Sequence, residues 1–220
     1  MEDIVASLRS IDWEDIDAVE HANRKVLTTM LEDPTPISTV LRSLPERPEL
    51  LTLCEHYDIL DKIVLHSDDS GVRVRLHVFL PGYFDRPHNH RWSYASLILR
   101  GEYRHYLFGN ADLDKGVDPG SLKTLQVQQE QVGSIYALHH TMIHAVVAEP
   151  YTVSVVVRGP SVKDRFLVMD RKTRESWWQY GAQHESTESA AQKRMSLERL
   201  NEVTGWLKRW ELFGEADSED

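Results

Sequence analysis

The chain has 220 residues, 41% hydrophobic and 27% charged, with a net charge of −10. That length supports one domain with a sizeable core and attachments. No apolar run reaches the about 18 residues that a spanning helix needs, and no basic run with interleaved aromatics points to nucleic acid.

The single cysteine, Cys54, excludes an intrachain disulfide and a cysteine-based zinc cluster. It reads as a core residue and fits a reducing, cytoplasmic location. The start "MEDIVASLRS" is acidic, so no secretory leader is expected. Charge is unevenly spread. Residues 1–70 carry 16 acids and 6 bases, residues 71–178 carry 10 and 14, and residues 179–220 carry 9 and 5. A basic centre between acidic flanks favours a small anionic ligand, whereas acidic helices that keep the chain soluble are the plainer reading.

Residues 1–66 are expected to form an N-terminal helical subdomain. "SLRSIDWEDIDAVEHANRKVLTTMLED" places Ile16, Val19, Val26 and Met30 at helical spacing. "DPTPIS" breaks that pattern, and "STVLRSLPERPELLTLCEHY" adds one or two short helices punctuated by Pro45 and Pro48.

The period then changes to two. In "GVRVRLHVFLPG", Val72, Val74, Leu76 and Val78 alternate with Arg73, Arg75, His77 and Phe79. "WSYASLILRGEYRHYLF" reads as two strands joined at Arg100-Gly101, and "SLKTLQVQQEQVGSIYAL" as a strand pair. "MIHAVVAEPYTVSVVVRGP" reads as a hairpin with a Glu-Pro turn, and "DRFLVMDRKTRESWWQYG" supplies the last strands. Many short strands predict an all-β barrel or sandwich over 67–180. A C-terminal helix over 181–213, carrying Leu197, Leu200, Val203 and Leu207, and a disordered acidic tail over 214–220 complete the chain.

Histidines mark the candidate site. His88 and His90 stand two apart in an extended segment, so both imidazoles face one point. Neutral imidazole suits Fe, Zn, Ni and Cu. A third ligand is sought in "GSIYALHHTMIHAVVAE", where His144 lies in a strand-like run and His139 and His140 precede it in a loop.

Gly82, His88, His90 and Gly101 stand at the spacing of the first cupin motif, and Gly133 and His144 at that of the second. His139 and Thr141 replace the second motif's Pro and Gly, and Tyr94 occupies the place of the usual glutamate ligand. The chain thus resembles the cupin superfamily over about residues 71–170. That resemblance implies a mainly β, jelly-roll-like barrel with N-terminal helices and a C-terminal helix. Three histidines without a carboxylate resemble the thiol dioxygenase-like cupins. They imply a metal centre of His88, His90 and His144, with Fe(II) favoured and Zn, Ni or Mn as alternatives.

The chain departs from cysteine dioxygenases. Their Ser-x-His-x-Tyr is Ser154-Val155-Val156-Val157-Arg158 here, and no cysteine lies near the metal motif. The activity implied is an iron-dependent oxygenase that uses O2 and a small anionic substrate. The alternatives are an isomerase, epimerase or lyase with a redox-inert metal, or a ligand-binding protein without turnover. Tyr94, His140 and Arg158 are the catalytic candidates, each weighed against packing or a loop position. Arg73, Arg75 and Arg158 are candidates to bind the substrate's acid group, because a guanidinium fork matches a carboxylate, sulfonate or phosphate. Cupin relatives also imply a homodimer. Neither nucleic acid nor membrane is an expected partner.

Overall fold

The computed structural model of the protein describes residues 1–110, 117–181 and 186–213, so the tail over 214–220 lies outside it. Helices come first. α1 (Glu2–Val5) runs into a 3-10 turn at Ala6–Ser10, followed by α2 (Ile16–Glu32), α3 (Thr35–Ser43) and α4 (Pro48–Leu51). The Asp15 carboxylate caps α2 by accepting from the backbone N–H groups of Asp17 and Ala18. Val19, Asn23, Val26, Leu27 and Met30 form the buried stripe of α2.

Eleven strands follow among the described residues: β1 (Glu55–Tyr57), β2 (Leu60–Ser67), β3 (Arg73–Phe79), β4 (Tyr94–Arg100), β5 (Glu102–Asn110), β6 (Gln126–Gln131), β7 (Ile135–Leu138), β8 (Met142–Ala148), β9 (Val153–Arg158), β10 (Arg165–Asp170) and β11 (Glu175–Tyr180). α5 (Thr187–Lys193) and α6 (Leu197–Arg209) close the described chain.

The architecture is mainly β and built from antiparallel sheets. One sheet has the order β1-β2-β3-β9-β4-β7. The second combines β6-β5-β8 with β10-β11, and the extended segment around His88 lies between them, bridging to His144 on β8 and to Val168 on β10.

Alternation decides what each face of the first sheet meets. Val74, Leu76, Val78, Ala95, Leu97, Val153, Val155 and Val157 share one core with Val19, Val26, Leu27 and Met30 of α2 and with Leu200, Val203 and Leu207 of α6. Each buried valine, leucine or methionine among them contributes about 1.5–3 kcal/mol. The alternate residues of the same strands therefore face the second sheet. At one end that interior is filled by Leu60, Phe79, Tyr83, Ile98, Tyr103, Val146 and Ala148. At the other end it carries polar side chains.

Four expectations are corrected. β1 and β2 lie inside the segment read as helical, and their pairing with β3 makes residues 55–67 part of the sheet. "LDKIVLHS" is buried on both faces and so lacks the alternation that marks a half-exposed strand. β8 and β9 are not a hairpin: β8 pairs with β5, while β9 pairs with β3 and β4. β6 and β7 also separate, onto β5 and β4. The C-terminal segment forms two helices, not one. The Arg100-Gly101 joint likewise passes from one sheet to the other. Gly101 has φ +71, and a Cβ there would meet the Thr152 Oγ1 at 2.5 Å, so glycine is required.

Candidate metal centre

Three imidazoles meet in the polar end of the interior. The ligating atoms of His88, His90 and His144 all lie within 4.8 Å of one another. The segment carrying the first two is held as a strand. His88 N donates to the His144 carbonyl and His144 N to the His88 carbonyl, each at 2.9 Å. Asn89, between the two histidines, faces the other way, and its Oδ1 accepts from Leu167 N at 2.9 Å. That is how a His-x-His pair presents both rings on one side.

Proton accounting tests whether a metal fits. The His88 Nδ1 lies 2.8 Å from the Arg86 carbonyl, which only accepts, so the proton sits on Nδ1 and Nε2 keeps its lone pair. The His144 Nδ1 lies 2.8 Å from the His105 Nε2. The His105 Nδ1 in turn faces the Glu130 Oε1 at 3.6 Å. The His105 Nδ1 makes no hydrogen bond, but the nearby Glu130 carboxylate favours the proton there electrostatically. The His105 Nε2 then accepts from the His144 Nδ1, and the His144 Nε2 lone pair points inward. The His90 Nε2 lies 2.7 Å from that nitrogen. Two inward nitrogens at this distance share a proton, or else a cation takes its place. Burial pushes His90 and His144 well below the usual histidine range, and the crowding of imidazoles around them adds to the effect. Both are thus the neutral form that binds metal. The donor set fits a divalent transition metal.

Tyr94 closes one side of the triad. It is buried, its ring stands 4.9 Å from that of His90, and its hydroxyl is 3.5 Å from the His144 Nε2. Burial, and then Tyr136, hold the phenol well above its usual range, so Tyr94 is a neutral hydroxyl.

The cations occupy the neighbouring wall. Arg158 pairs directly with Tyr94 across β9 and β4 and with Arg73 across β9 and β3, and residues opposite one another share a face. Trp92 links this wall to the triad. Its ring lies 5.8 Å from that of His90, with the Arg158 guanidinium carbon 4.8 Å and that of Arg75 5.7 Å from its centre. The Arg158 Nη1 donates to the Gly71 and Gly159 carbonyls, and the Arg73 Nε to the Ser67 Oγ. The Nε atoms of Arg75 and Arg158, the Ser154 Oγ and the His77 Nε2 are buried without a hydrogen-bond partner. Burial, together with Arg75 and Arg73, pushes Arg158 down to about 8, and burial with Arg75 pushes Arg73 down to about 10. Lys62 is half-buried on the same face. It lies opposite His77 and 3.5 Å from the Glu55 carboxylate.

The structure therefore brings together His88, His90, His144 and Tyr94, and sets Arg73, Arg75 and Arg158 on the adjoining wall. It does not bring His140 to the triad. The His140 Nε2 is 3.0 Å from the Glu14 Oε2, and its ring stacks 4.2 Å from that of His139. In the turn between β7 and β8, His140 offers its backbone carbonyl to His90 N while its ring turns toward the N-terminal segment. The catalytic expectation for His140 is corrected accordingly. His105 and Lys62 were not foreseen. His105 had a signal, since it stands two residues after Tyr103 on the inward register of "GEYRHYLF".

No family model matches this chain, and no curated protein matches it. Among solved structures it is similar to KdgF from Halomonas sp., at 14% identity over 49% of this chain and 86% of that one, with a TM-score of 0.38. An RmlC-like cupin from Shewanella frigidimarina is 17% identical over 50% of this chain and 86% of that one, with a TM-score of 0.37. The DMSP lyase DddQ from Ruegeria pomeroyi is 12% identical over 50% and 51%, with a TM-score of 0.36. Among the described residues no helix is long and apolar enough to cross a membrane.

Proposed function

We propose that the protein is a mononuclear non-heme iron oxygenase acting on a small anionic organic substrate, and that it works in the cytoplasm. The observation that carries this reading is the all-imidazole triad, proton-poised to bind a metal, beside the guanidinium groups of Arg75 and Arg158, whose Nε atoms are buried and which form no ion pair with a described carboxylate within 4.0 Å. His88, His90 and His144 would hold the iron. Iron, when bound, supplies the reduction of O2 and a coordination position for a substrate heteroatom.

The chain's own residues do the rest. Arg75 and Arg158 take the substrate's acid group. Trp92 sets the distance between that group and the triad. The neutral Tyr94 hydroxyl donates a hydrogen bond at the reacting end, and the packed far end of the interior excludes water.

Tyr94 also favours a second reading, an isomerase, epimerase or lyase with a redox-inert metal. A hydroxyl beside a Lewis-acid site can shuttle a proton.

Iron content and O2 uptake after anaerobic Fe(II) loading separate the two. Wild type should hold about one iron per chain and consume O2 only with a substrate, and His144→Ala should lose both. Turnover under nitrogen with Zn, Ni or Mn would establish the second reading. A His88→Ala variant that loses iron yet keeps its O2 uptake would overturn the first. A ligand that raises Tm with no product at all would leave a binding protein.

A further inference from the structure

We propose that Glu14, His139 and His140 form a second divalent-metal site, separate from the His88–His90–His144 centre and suited to Zn(II) or a similar ion. The three groups come from two distant segments, and each offers an atom within 4.8 Å of the others. The Glu14 Oε2 lies 3.0 Å from the His140 Nε2 and 3.6 Å from the His139 Nε2. Ligands about 2.0–2.1 Å from a tetrahedral zinc stand roughly 3.4 Å apart, close to the two separations from the Glu14 oxygen.

The His139 ring is anchored through its other nitrogen. Its Nδ1 accepts from Thr141 N at 3.4 Å and lies 2.7 Å from the Thr141 Oγ1, so the Nε2 is the nitrogen left to face the Glu14 carboxylate. A metal there takes the place of the imidazole proton. The His140 Nε2 faces the same carboxylate at 3.0 Å, where a hydrogen bond holds its proton until a metal displaces it, and its buried Nδ1 has no partner. The Lys163 ammonium donates to the His140 carbonyl at 3.0 Å. The set is two imidazoles and a carboxylate, the donor mixture of many zinc sites.

The donors are also preorganised. The backbone of Glu14 is pinned by Asp12, whose carboxylate accepts from Glu14 N at 2.9 Å. Next to it Trp13 is buried, its indole against Gly159 and its Nε1–H donating to the Leu8 carbonyl. His140 N donates to the Ser93 Oγ at 3.2 Å, and the His140 carbonyl accepts from His90 N at 3.3 Å. A metal here would clamp the segment before α2 onto the β7–β8 turn, one peptide away from the triad's own strand. The half-exposed Glu14 leaves room for water as a further ligand.

The test is a zinc count on the full chain after Zn(II) loading and desalting. Wild type is compared with Glu14→Gln, His139→Ala and His144→Ala. Glu14→Gln is isosteric at an exposed side chain and keeps the fold. Glu14→Gln and His139→Ala should each hold about one zinc fewer than wild type, while His144→Ala loses a different ion and still responds to Glu14→Gln. Zinc should also raise the Tm of His144→Ala, and Glu14→Gln should abolish that rise. Wild-type zinc content in both Glu14→Gln and His139→Ala would overturn the site, whatever the triad binds. Failure of the triad alone would appear only as an unchanged count in His144→Ala.

Discussion

Replacing His105 tests how the centre is oriented. His105 is fully buried, and its Nε2 is the only partner of the His144 Nδ1 among the described residues, at 2.8 Å. A metal on the His144 Nε2 forces the proton onto Nδ1. Without His105 that buried N–H has no acceptor, at about 1–3 kcal/mol, or roughly 5- to 150-fold in metal affinity. In the metal-free state the ring can move its proton to Nε2, so the penalty falls on the bound state. Outer partners of metal-bound histidines show losses of about 10- to 100-fold, in the same range. The assay is Zn(II) or Co(II) competition with a chromophoric chelator, with circular dichroism confirming the fold. His105→Ala should bind about 10- to 100-fold more weakly. His105→Gln should recover part of the loss, because its amide oxygen can accept the same proton. Glu130→Gln should lose less, because Glu130 stands 3.6 Å from the ring. A folded His105→Ala with wild-type affinity would refute the proton chain from Glu130 to His144.

Two further outcomes follow from the cationic wall. Arg75 is partly buried, and its buried Nε has no partner. Replacing an uncompensated buried charge with an apolar group of similar length is often neutral or stabilising by about 1–4 kcal/mol. Arg75→Met should therefore keep or raise the Tm of the free protein while losing stabilisation by small dianions. A large drop in Tm would show that the stack on Trp92 and the Glu55 field already compensate the charge. His77 gives a pH signature. Burial, and then Lys62 and Arg75, hold it well below the usual histidine range. The unfolded chain therefore binds more protons than the folded one below about pH 6.5. The stability contributed by keeping His77 neutral is whole above that pH and is lost as pH falls. With chelator present, Tm should fall from pH 7 to pH 5, and less steeply in His77→Phe. The lowered Asp68 carboxyl acts below its ordinary value of 3.8, outside this window. Equal slopes in wild type and His77→Phe would sink the argument.

What the sequence made legible depended on how local the cause was. His88 and His90 were readable because a period of two is a property of one extended segment, and His144 because it sits at a fixed distance from Gly133. The pairings of β8 and β9 were not readable. A Glu-Pro turn between two apolar strands resembles a hairpin, yet here Tyr151 at φ 61 and the Thr152 hydroxyl, which accepts from Glu102 N, send the chain to the other sheet. Glu14 and His140 are 126 residues apart, so only tertiary structure could join them. The arginines lie between these cases. Alternation put Arg73, Arg75 and His77 on one face of β3 but left open which face. Their neighbours settle that question physically. Val74, Leu76 and Val78 are matched by the apolar stripe of α2, and a sheet covered on both sides has no solvated face left for the arginines. The charges are thus driven inside by the valines opposite them, which is why the interior beside the triad is cationic.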